Sequence, residues 1–424
     1  MSQEWTLTLP AADRATNWEP RLKHFSEAPC DARLGDRGVT KHGTAFAVHN
    51  PRMYSENSEK GTVVLIHGIG DWSFRFASLV KSLNKAGFQV VTYDMLGRGY
   101  SPTAANRSQT SPSNRDNGGD GAFIMPPLNP GSLQEQLPGS PWSMRWHIAE
   151  FKEVLSEAIG RFSLEFQRSK LTTPTPVHVV GHSMGGCLAT YFAALAASSS
   201  AVPITHRSFL SSCVLLAPAG AMTPGPLGCG ACGYSFLQCC CGSLCGCCFV
   251  PCVGKITNGK YKAKGFISDG HAGGVGGLGG ADPNNLPVNV DEGRELVAWD
   301  VQWVMASRHV NGNRATVASA ARMPLMDVKK ACEKDPAINL QTVKAANLPV
   351  LVLQGADDLV VKTIRKEMYV EMFGRNNVTF ETRPGGHNFF IQDNDNVAAR
   401  LEAFFMAVGN GTTGSPAVVG DFCR

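Results

Sequence analysis

Short runs of aliphatic and β-branched residues recur along the chain, and longer stretches with a helical spacing of apolar positions separate them. The runs TVVLIHG (62–68) and FQVVTYD (88–94) are apolar throughout most of their length, which is typical of strands buried on both faces of a parallel sheet. Four further runs continue the series: PVHVVGHS (176–183), FLSSCVLLAPAG (209–220), LPVLVLQGAD (348–357) and NVTFETRPGG (377–386). Helical patterns lie between them, for instance at 142–166 and 185–197. This alternation predicts an α/β fold with a mostly parallel, doubly wound sheet.

Two regions interrupt the alternation and set the predicted domain organisation. Residues 101–141 are rich in Ser, Asn, Gly and Pro, which predicts a disordered surface insertion. Residues 221–345 fall between two predicted strands and contain a cysteine cluster, a glycine tract and a helical stretch, which indicates a cap or lid. The stretch GVTKHGTAFAVHN (38–50) predicts an antiparallel hairpin at the sheet edge. The predicted parts are an N-terminal segment (1–54), a core in two parts (55–220 and 346–410), the cap (221–345) with a cysteine-rich segment (229–252), and a tail (411–424).

Composition and charge argue against some classes of function. The 424 residues carry a formal net charge of +4, which is small for this length and gives no electrostatic case for binding nucleic acid. The N-terminal sequence MSQEWTLTLPAADR has an acidic residue early and no apolar segment, so we expect no secretory signal and a cytoplasmic location. In that reducing compartment we expect the cysteines to stay free of disulfides.

The stretch GHSMG (181–185) places a serine at the end of a predicted buried strand and before an apolar helix. A nucleophile on a sharp strand-to-helix turn needs small residues two positions away on each side, and Gly181 and Gly185 meet this need. The helix that follows directs its first amides at developing negative charge. Ser183 is therefore the candidate nucleophile, although the same motif also occurs in glycine-rich turns without catalytic function.

An unactivated serine hydroxyl is a weak nucleophile, so a base and an acid must accompany Ser183. His387 lies in the loop RPGGHNFF after the last predicted strand, where it would take the proton from Ser183 and return it to the leaving group. Asp357 and Asp358 follow the preceding strand, and either could orient His387 and stabilise its charged form. The residues alone leave the choice between the two aspartates open.

The stretch HGIGDW follows the first clear strand, at a place where backbone amides can face the nucleophile. We expect the amides of Ile69 and Met184 to form the oxyanion hole, which stabilises the tetrahedral intermediate. His67 and His182 are predicted to orient loops or to pack, and not to carry protons.

Five motifs stand in an order that resembles the alpha/beta-hydrolase superfamily: HGIGDWSFRF, YDMLGRGYS, GHSMGG, LQGADDLVV and GGHNFF. They are similar to its lipase, esterase and serine aminopeptidase branch, which includes monoacylglycerol lipases. The acid of that branch commonly lies three residues after the strand-end glycine, here Gly355, so the resemblance implies Asp358 as the acid. It also implies a structural role for Asp94. The serine, histidine and aspartate mechanism itself requires no metal or organic cofactor. Epoxide hydrolases and dehalogenases differ, because they need an acidic nucleophile at the position of Ser183.

The expected activity is hydrolysis of a carboxylic ester, with a lipid or acylglycerol ester as the favoured substrate. Residues 208–254 contain no charged side chain, which favours an apolar pocket over a site for a charged peptide. Peptidase, thioesterase and carbon–carbon hydrolase activities use the same triad and are alternatives. A catalytically silent, membrane-associated binding protein is a further alternative, which labelling with a fluorophosphonate probe for activated serines would distinguish.

The segment CGACGYSFLQCCCGSLCGCCFVPC (229–252) contains nine of the 14 cysteines. Disulfides, a zinc site, a transmembrane helix and burial as small apolar residues are alternative explanations. S-acylation is favoured because the cysteines lie among apolar residues and four lysines follow within 255–264, which together make a two-signal anchor to a membrane surface. The candidate acylated residues are Cys239, Cys240, Cys241, Cys245, Cys247 and Cys248.

Overall fold

The computed structural model of the protein describes most of the predicted core. The described residues are 36–49, 60–69, 71–98, 101, 142–166, 175–198, 208–222, 319, 322–358, 360–361 and 364–409. Several predicted regions lie wholly or largely outside them: the start of the N-terminal segment, the insertion after residue 101, the cysteine-rich segment with most of the cap, and the tail. The predictions for those regions stay predictions.

Eight strands form one sheet in the order β1-β2-β4-β3-β5-β6-β7-β8. The strands are β1 (Asp36–Val39), β2 (Ala45–His49), β3 (Thr62–Ile66), β4 (Gln89–Tyr93), β5 (Thr175–His182), β6 (Ser208–Leu216), β7 (Val350–Gly355) and β8 (Val378–Arg383). The α-helices of the described residues are α1 (Ala77–Lys85), α2 (Met144–Phe166), α3 (Met184–Ser198), α4 (Val328–Lys334), α5 (Leu340–Ala345), α6 (Lys366–Phe373), α7 (Phe389–Gln392) and α8 (Asn394–Gly409). The predicted mostly parallel, doubly wound sheet is confirmed.

Because β3 to β8 run in parallel, the carboxyl ends of these six strands lie at the same edge of the sheet. β1 pairs antiparallel with β2, β2 pairs antiparallel with β4, and the other neighbouring strands pair in parallel. The antiparallel hairpin occupies 36–49, which overlaps the predicted stretch 38–50 and begins two residues before it. Gly181 at the end of β5 lies opposite Ile66 of β3 and Leu215 of β6, so the loops that follow these strands emerge side by side.

Burial on both faces explains the continuous apolar runs. Successive side chains of a strand point to opposite faces of the sheet. Val64 and Ile66 of β3 pack in one core cluster, while Val63 and Leu65 pack in the other, and all four side chains are buried. A run without polar positions is therefore what a strand covered by helices on both sides requires.

The helices form a layer on each face of the sheet. Leu83 of α1 and Leu401 of α8 belong to one core cluster, and buried residues of α2 to α6 belong to the other. Val328 of α4 and Val343 of α5 lie in the same cluster as the apolar face of α3. The last part of the region assigned to the cap, from residue 322 onwards, therefore packs on the core.

Candidate active site

Ser183 sits at the turn between β5 and α3, where the sequence placed the nucleophile. Its φ angle is +52°, in the left-handed region that residues other than glycine rarely adopt. The surrounding backbone holds it there, because its amide donates to the carbonyl of Leu216 at 3.0 Å and its carbonyl accepts from the amide of Ala219 at 2.9 Å. A strained residue kept in place by its neighbours is typical of a functional position.

The glycines around Ser183 are required by close approaches of the backbone. A Cβ atom on Gly181 would lie 2.2 Å from the carbonyl oxygen of Gly185. A Cβ atom on Gly185 would lie 2.2 Å from the carbonyl oxygen of Ile66, at the end of β3. A Cβ atom on Gly186 would lie 2.7 Å from Cβ of Pro218. Any side chain at these positions would push α3 away from the strands and move Ser183.

His387 and Asp358 form a buried pair at the same edge of the sheet. The His387 Nδ1 atom lies 2.9 Å from the Asp358 Oδ2 atom, and their side chains are 7% and 1% exposed. The Oδ1 atom of Asp358 accepts from the amides of Val360 and Val361 at 2.8 and 2.7 Å, and Oδ2 also accepts from Gln354 at 2.9 Å. These donors fix the carboxylate so that it orients the imidazole.

The adjacent aspartates differ in their surroundings. Asp358 is buried against His387, whereas the side chain of Asp357 is exposed to solvent. The amide of Asp357 donates to the carbonyl of Gly385 at 2.9 Å, and a Cβ atom on Gly355 would lie 2.2 Å from the carbonyl oxygen of Gly386. The loop after β7 is therefore packed tightly against the loop that carries His387.

His182, which precedes Ser183, joins the nucleophile turn to the loop of His387. Its Nε2 atom donates to the backbone carbonyl of His387 at 3.1 Å, and the two ring centroids are 4.8 Å apart. Burial lowers the pKa of His182 well below its ordinary value, and the nearby His387 ring lowers it further. His182 is thus a neutral donor that holds the loop of His387 next to Ser183.

The loop after β3 passes directly over the nucleophile. A Cβ atom on Gly68 would lie 3.1 Å from Cβ of Ser183. Ile69 follows in this loop, and Met184 is the first residue of α3, where the amide has no partner within the helix. The two amides predicted for the oxyanion hole therefore belong to the two segments that flank Ser183.

His67 ties this loop to the loop after β4. Its Nδ1 atom donates to the carbonyl of Gly68 at 2.9 Å, and its Nε2 atom accepts from the amide of Met95 at 3.0 Å. Burial, and then the charge of Arg98, lower the pKa of His67 well below its ordinary value. With its Nδ1–H donating and its Nε2 accepting, the neutral ring holds the two loops together and has no nitrogen left for proton transfer.

Sequence reasoning missed a buried ion pair close to these residues. Asp71 and Arg75 form a salt bridge, and their side chains are 5% and 4% exposed. Burial raises the pKa of Asp71, while Arg75 and, more weakly, His387 act in the opposite direction. Opposite charges four residues apart were visible in DWSFR, but only the fold shows that the pair is buried. Asp94, predicted to be structural, accepts from the amide of Ser73 at 2.7 Å and so fixes the same loop.

The candidate acylation cysteines lie outside the described residues. Within the described part of the chain, the free cysteines are Cys187, Cys213 and Cys332, all of them buried. No helix among the described residues is long and apolar enough to cross a bilayer. In the same residues, no group of three or more His, Cys, Asp or Glu side chains is arranged to hold a metal ion.

Comparisons with known proteins agree with the architecture. A family model of the alpha/beta hydrolase fold matches residues 61–227. The solved epoxide hydrolase CorEH is 15% identical with a TM-score of 0.53, over 88% of this chain and 99% of that chain. An esterase from Exiguobacterium antarcticum (15% identity, TM-score 0.48) and a bromoperoxidase from Bacillus anthracis (17% identity, TM-score 0.47) each match over 88% of this chain and 99% of their own. No curated protein matches the chain by sequence.

Proposed function

Since this chain carries an alpha/beta-hydrolase domain, we propose that the protein is a serine hydrolase that cleaves carboxylic esters through an acyl-enzyme on Ser183. The main support is the buried contact of 2.9 Å between His387 Nδ1 and Asp358 Oδ2. The backbone carbonyl of His387 also accepts a hydrogen bond from His182, the residue before Ser183, whose φ angle is strained. A serine, an imidazole and a carboxylate in this relation are the parts that nucleophilic acyl transfer needs.

In the proposed first half-reaction, the Nε2 atom of His387 takes the proton of the Ser183 hydroxyl as the Oγ atom attacks the ester carbonyl carbon. The carbonyl oxygen becomes an oxyanion, which accepts hydrogen bonds from the amides of Ile69 and Met184. The carboxylate of Asp358 stabilises the imidazolium and keeps its Nδ1 proton in place. His387 then gives the proton to the leaving alkoxide, and the alcohol departs.

In the second half-reaction, water takes the place of the alcohol. His387 removes a proton from this water while its oxygen attacks the acyl carbon of the ester on Ser183. Collapse of the second tetrahedral intermediate breaks the bond to Oγ, and His387 returns the proton to Ser183. The acid is released and the enzyme is restored, so the cycle needs no metal or redox cofactor.

A lipid or acylglycerol ester is the proposed substrate class. The support comes from the sequence: the stretch 208–254 contains no charged side chain that could pair with a charged substrate. Peptide, thioester and carbon–carbon substrates would pass through the same acyl-enzyme. Epoxide opening, the reaction in the name of CorEH, is disfavoured because a carboxylate nucleophile would have to replace Ser183.

Hydrolysis by the purified full-length protein tests the proposal. The panel comprises aryl esters from acetate to palmitate, a monoacylglycerol, a peptide amide and a thioester. We expect ester hydrolysis that Ser183→Ala lowers about 10⁴-fold or more in kcat, because nucleophile and proton transfer are both lost. Ser198→Ala is the matched control, since Ser198 ends the same helix and contacts the Asn339 backbone. Full activity of the Ser183→Ala protein, or hydrolysis of amides alone, would contradict the proposal.

A further inference from the structure

A second polar cluster lies within the core, away from the proposed triad. Glu150 and His147 of α2, Arg98 of the loop after β4, and Ser319 are buried, with exposures between 0% and 3%. Ser319 lies within the region predicted as the cap (221–345), three residues before the part of it that packs on the core. A buried carboxylate and guanidinium are costly to desolvate, so their retention calls for a specific role.

The cluster is a directed chain of hydrogen bonds. Arg98 donates from Nη2 to Ser319 Oγ at 2.8 Å, and Ser319 Oγ lies 3.3 Å from His147 Nε2. His147 donates from Nδ1 to Glu150 Oε2 at 3.0 Å. Burial lowers the pKa of His147, so its ring is neutral and has the one donor and one acceptor that the chain requires. Burial also lowers the pKa of Arg98 to about 10, which leaves it charged at neutral pH opposite Glu150.

The order of serine, histidine and carboxylate in this cluster repeats that of a catalytic triad. Ser319 and His147, however, have no exposed surface, so a substrate cannot reach them. The other oxygen of Glu150, Oε1, contacts a part of the chain outside the cluster. Glu150 Oε1 accepts from the amide of Leu96 at 2.5 Å and from the Thr44 hydroxyl at 3.0 Å. The carboxylate therefore fixes the backbone of the loop after β4.

That loop is connected to the proposed oxyanion hole by consecutive contacts. The residue before Leu96 is Met95, whose amide donates to Nε2 of His67 at 3.0 Å. The opposite nitrogen of His67 donates to the carbonyl of Gly68 at 2.9 Å. Gly68 lies against Ser183 and directly precedes Ile69. The position of Glu150 thus sets Leu96 and Met95, these set His67, and His67 sets the loop that would bind the oxyanion.

We propose that Glu150 is a positioning residue for the oxyanion loop, which rests on the proposed serine hydrolase mechanism. Stabilisation of an oxyanion depends on donors held at hydrogen-bond distance from the place where the charge develops. A small displacement of the amide donor weakens binding of the transition state more than binding of the substrate. Loss of the hydrogen bond between Glu150 and the Leu96 amide should therefore lower kcat and leave KM nearly unchanged.

Glu153 provides a matched control on the same helix. Its Oε1 atom lies 2.7 Å from Nδ1 of His42, and its side chain is 11% exposed. Both carboxylates pair with a histidine, Glu150 fully buried and Glu153 only partly exposed, but His42 belongs to the connection between β1 and β2 and not to the loop after β4. A purely structural contribution of carboxylates paired on α2 would appear in both variants.

The experiment compares Glu150→Leu with Glu153→Leu in the full-length protein, using a soluble aryl ester. Leucine has about the size of glutamate but no oxygen, so it removes the acceptor of the Leu96 amide, whereas a glutamine oxygen could still accept that bond. We expect Glu150→Leu to lower kcat about 10- to 100-fold, the range typical of groups that orient metal ligands, with KM within about twofold. The inhibition constant of a boronic acid, whose adduct on Ser183 mimics the tetrahedral intermediate, should rise by the same factor as kcat falls. Glu153→Leu should leave both values within about twofold of the wild type.

A double-mutant cycle with His67→Ala adds a test of the connection. If Glu150 acts through His67, the double variant should lose little more activity than His67→Ala alone. Should Glu150→Leu fail to fold, Glu150→Asp keeps the charge, withdraws it from Leu96 and is expected to show a smaller loss of the same kind. Wild-type kcat and boronate inhibition in a folded Glu150 variant, equal losses in both variants, or additive losses with His67→Ala would each overturn the inference. If Ser183→Ala is inactive in the same assay, such a result leaves the proposed function intact.

Discussion

Substitution of Asp358 by Asn tests how the acid of the site acts. The change keeps the shape of the side chain but replaces one acceptor oxygen by an NH₂ donor. Both carboxylate oxygens now accept hydrogen bonds: Oδ1 from the amides of Val360 and Val361, and Oδ2 from His387 and Gln354. The two backbone amides at 2.8 and 2.7 Å will keep the remaining oxygen of the asparagine. Its NH₂ group will then face His387.

The consequence for His387 is a change of tautomer. An NH₂ donor facing Nδ1 favours the ring form in which Nδ1 is unprotonated and the proton sits on Nε2. In that form Nε2 cannot accept the proton of Ser183, and no negative charge compensates the imidazolium. A loss of about 10⁴-fold in kcat is the expected magnitude, which corresponds to about 5 kcal/mol in activation free energy.

The assay is steady-state hydrolysis of an aryl ester by the wild type, Asp358→Asn and Asp357→Asn. Asp357 is exposed, so its substitution should change kcat less than about twofold, as is usual for a surface position. KM should stay similar in all three proteins, because neither aspartate is proposed to contact the substrate. More than about a tenth of wild-type kcat in a folded Asp358→Asn protein, or a larger loss at Asp357, would show that Asp358 is not the acid that orients His387.

Two further predictions concern pH and the cysteine-rich segment. Burial lowers the pKa of His178 to about 3, so below pH 6.5 the unfolded chain binds a proton that the folded chain does not, and stability falls as pH falls. Replacing His178 by Gln should flatten the slope of unfolding free energy between about pH 6 and 4 by about 1.4 kcal/mol per pH unit; an unchanged slope in urea titrations would contradict this. From the sequence alone, we propose that Cys239 to Cys248 carry thioester-linked lipid, so hydroxylamine, or Cys→Ser changes at all six candidate positions, should release the protein from cell membranes. A native protein without thioester-linked lipid in the soluble fraction would exclude the anchor.

Local sequence patterns were enough to predict the architecture. The apolar runs of β3 to β7 arise because helices cover both faces of these strands, and each run meets this requirement in its own sequence, whereas β8 at the sheet edge is only partly buried. Ser183 is visible for a similar reason, since Gly181 and Gly185 sit at the positions where backbone segments come within van der Waals contact. Burial of a strand on both faces and close approach of the backbone at a glycine both constrain a short segment, so that segment's sequence predicts them.

Partners that meet only in the folded chain were not predictable. Glu150 lies in an amphipathic helix where a carboxylate normally faces solvent, and its partners Thr44 and Leu96 are 106 and 54 residues away in the sequence. The choice between Asp357 and Asp358 came from a family resemblance, because the residues do not show which of two neighbours the turn directs inwards. Likewise, nothing in the composition of 322–345 indicated that α4 and α5 pack on α3.

The most direct test of the central claim is to locate the adduct of a fluorophosphonate probe by peptide mass spectrometry. The probe reacts with a serine that a neighbouring base has activated, and the phosphonyl oxygen is expected to occupy the oxyanion hole. We expect one adduct, on the peptide that contains Ser183, and its loss in a folded His387→Ala protein. Absence of any adduct on the native protein, or an adduct on another residue that persists in Ser183→Ala, would contradict the proposed serine hydrolase.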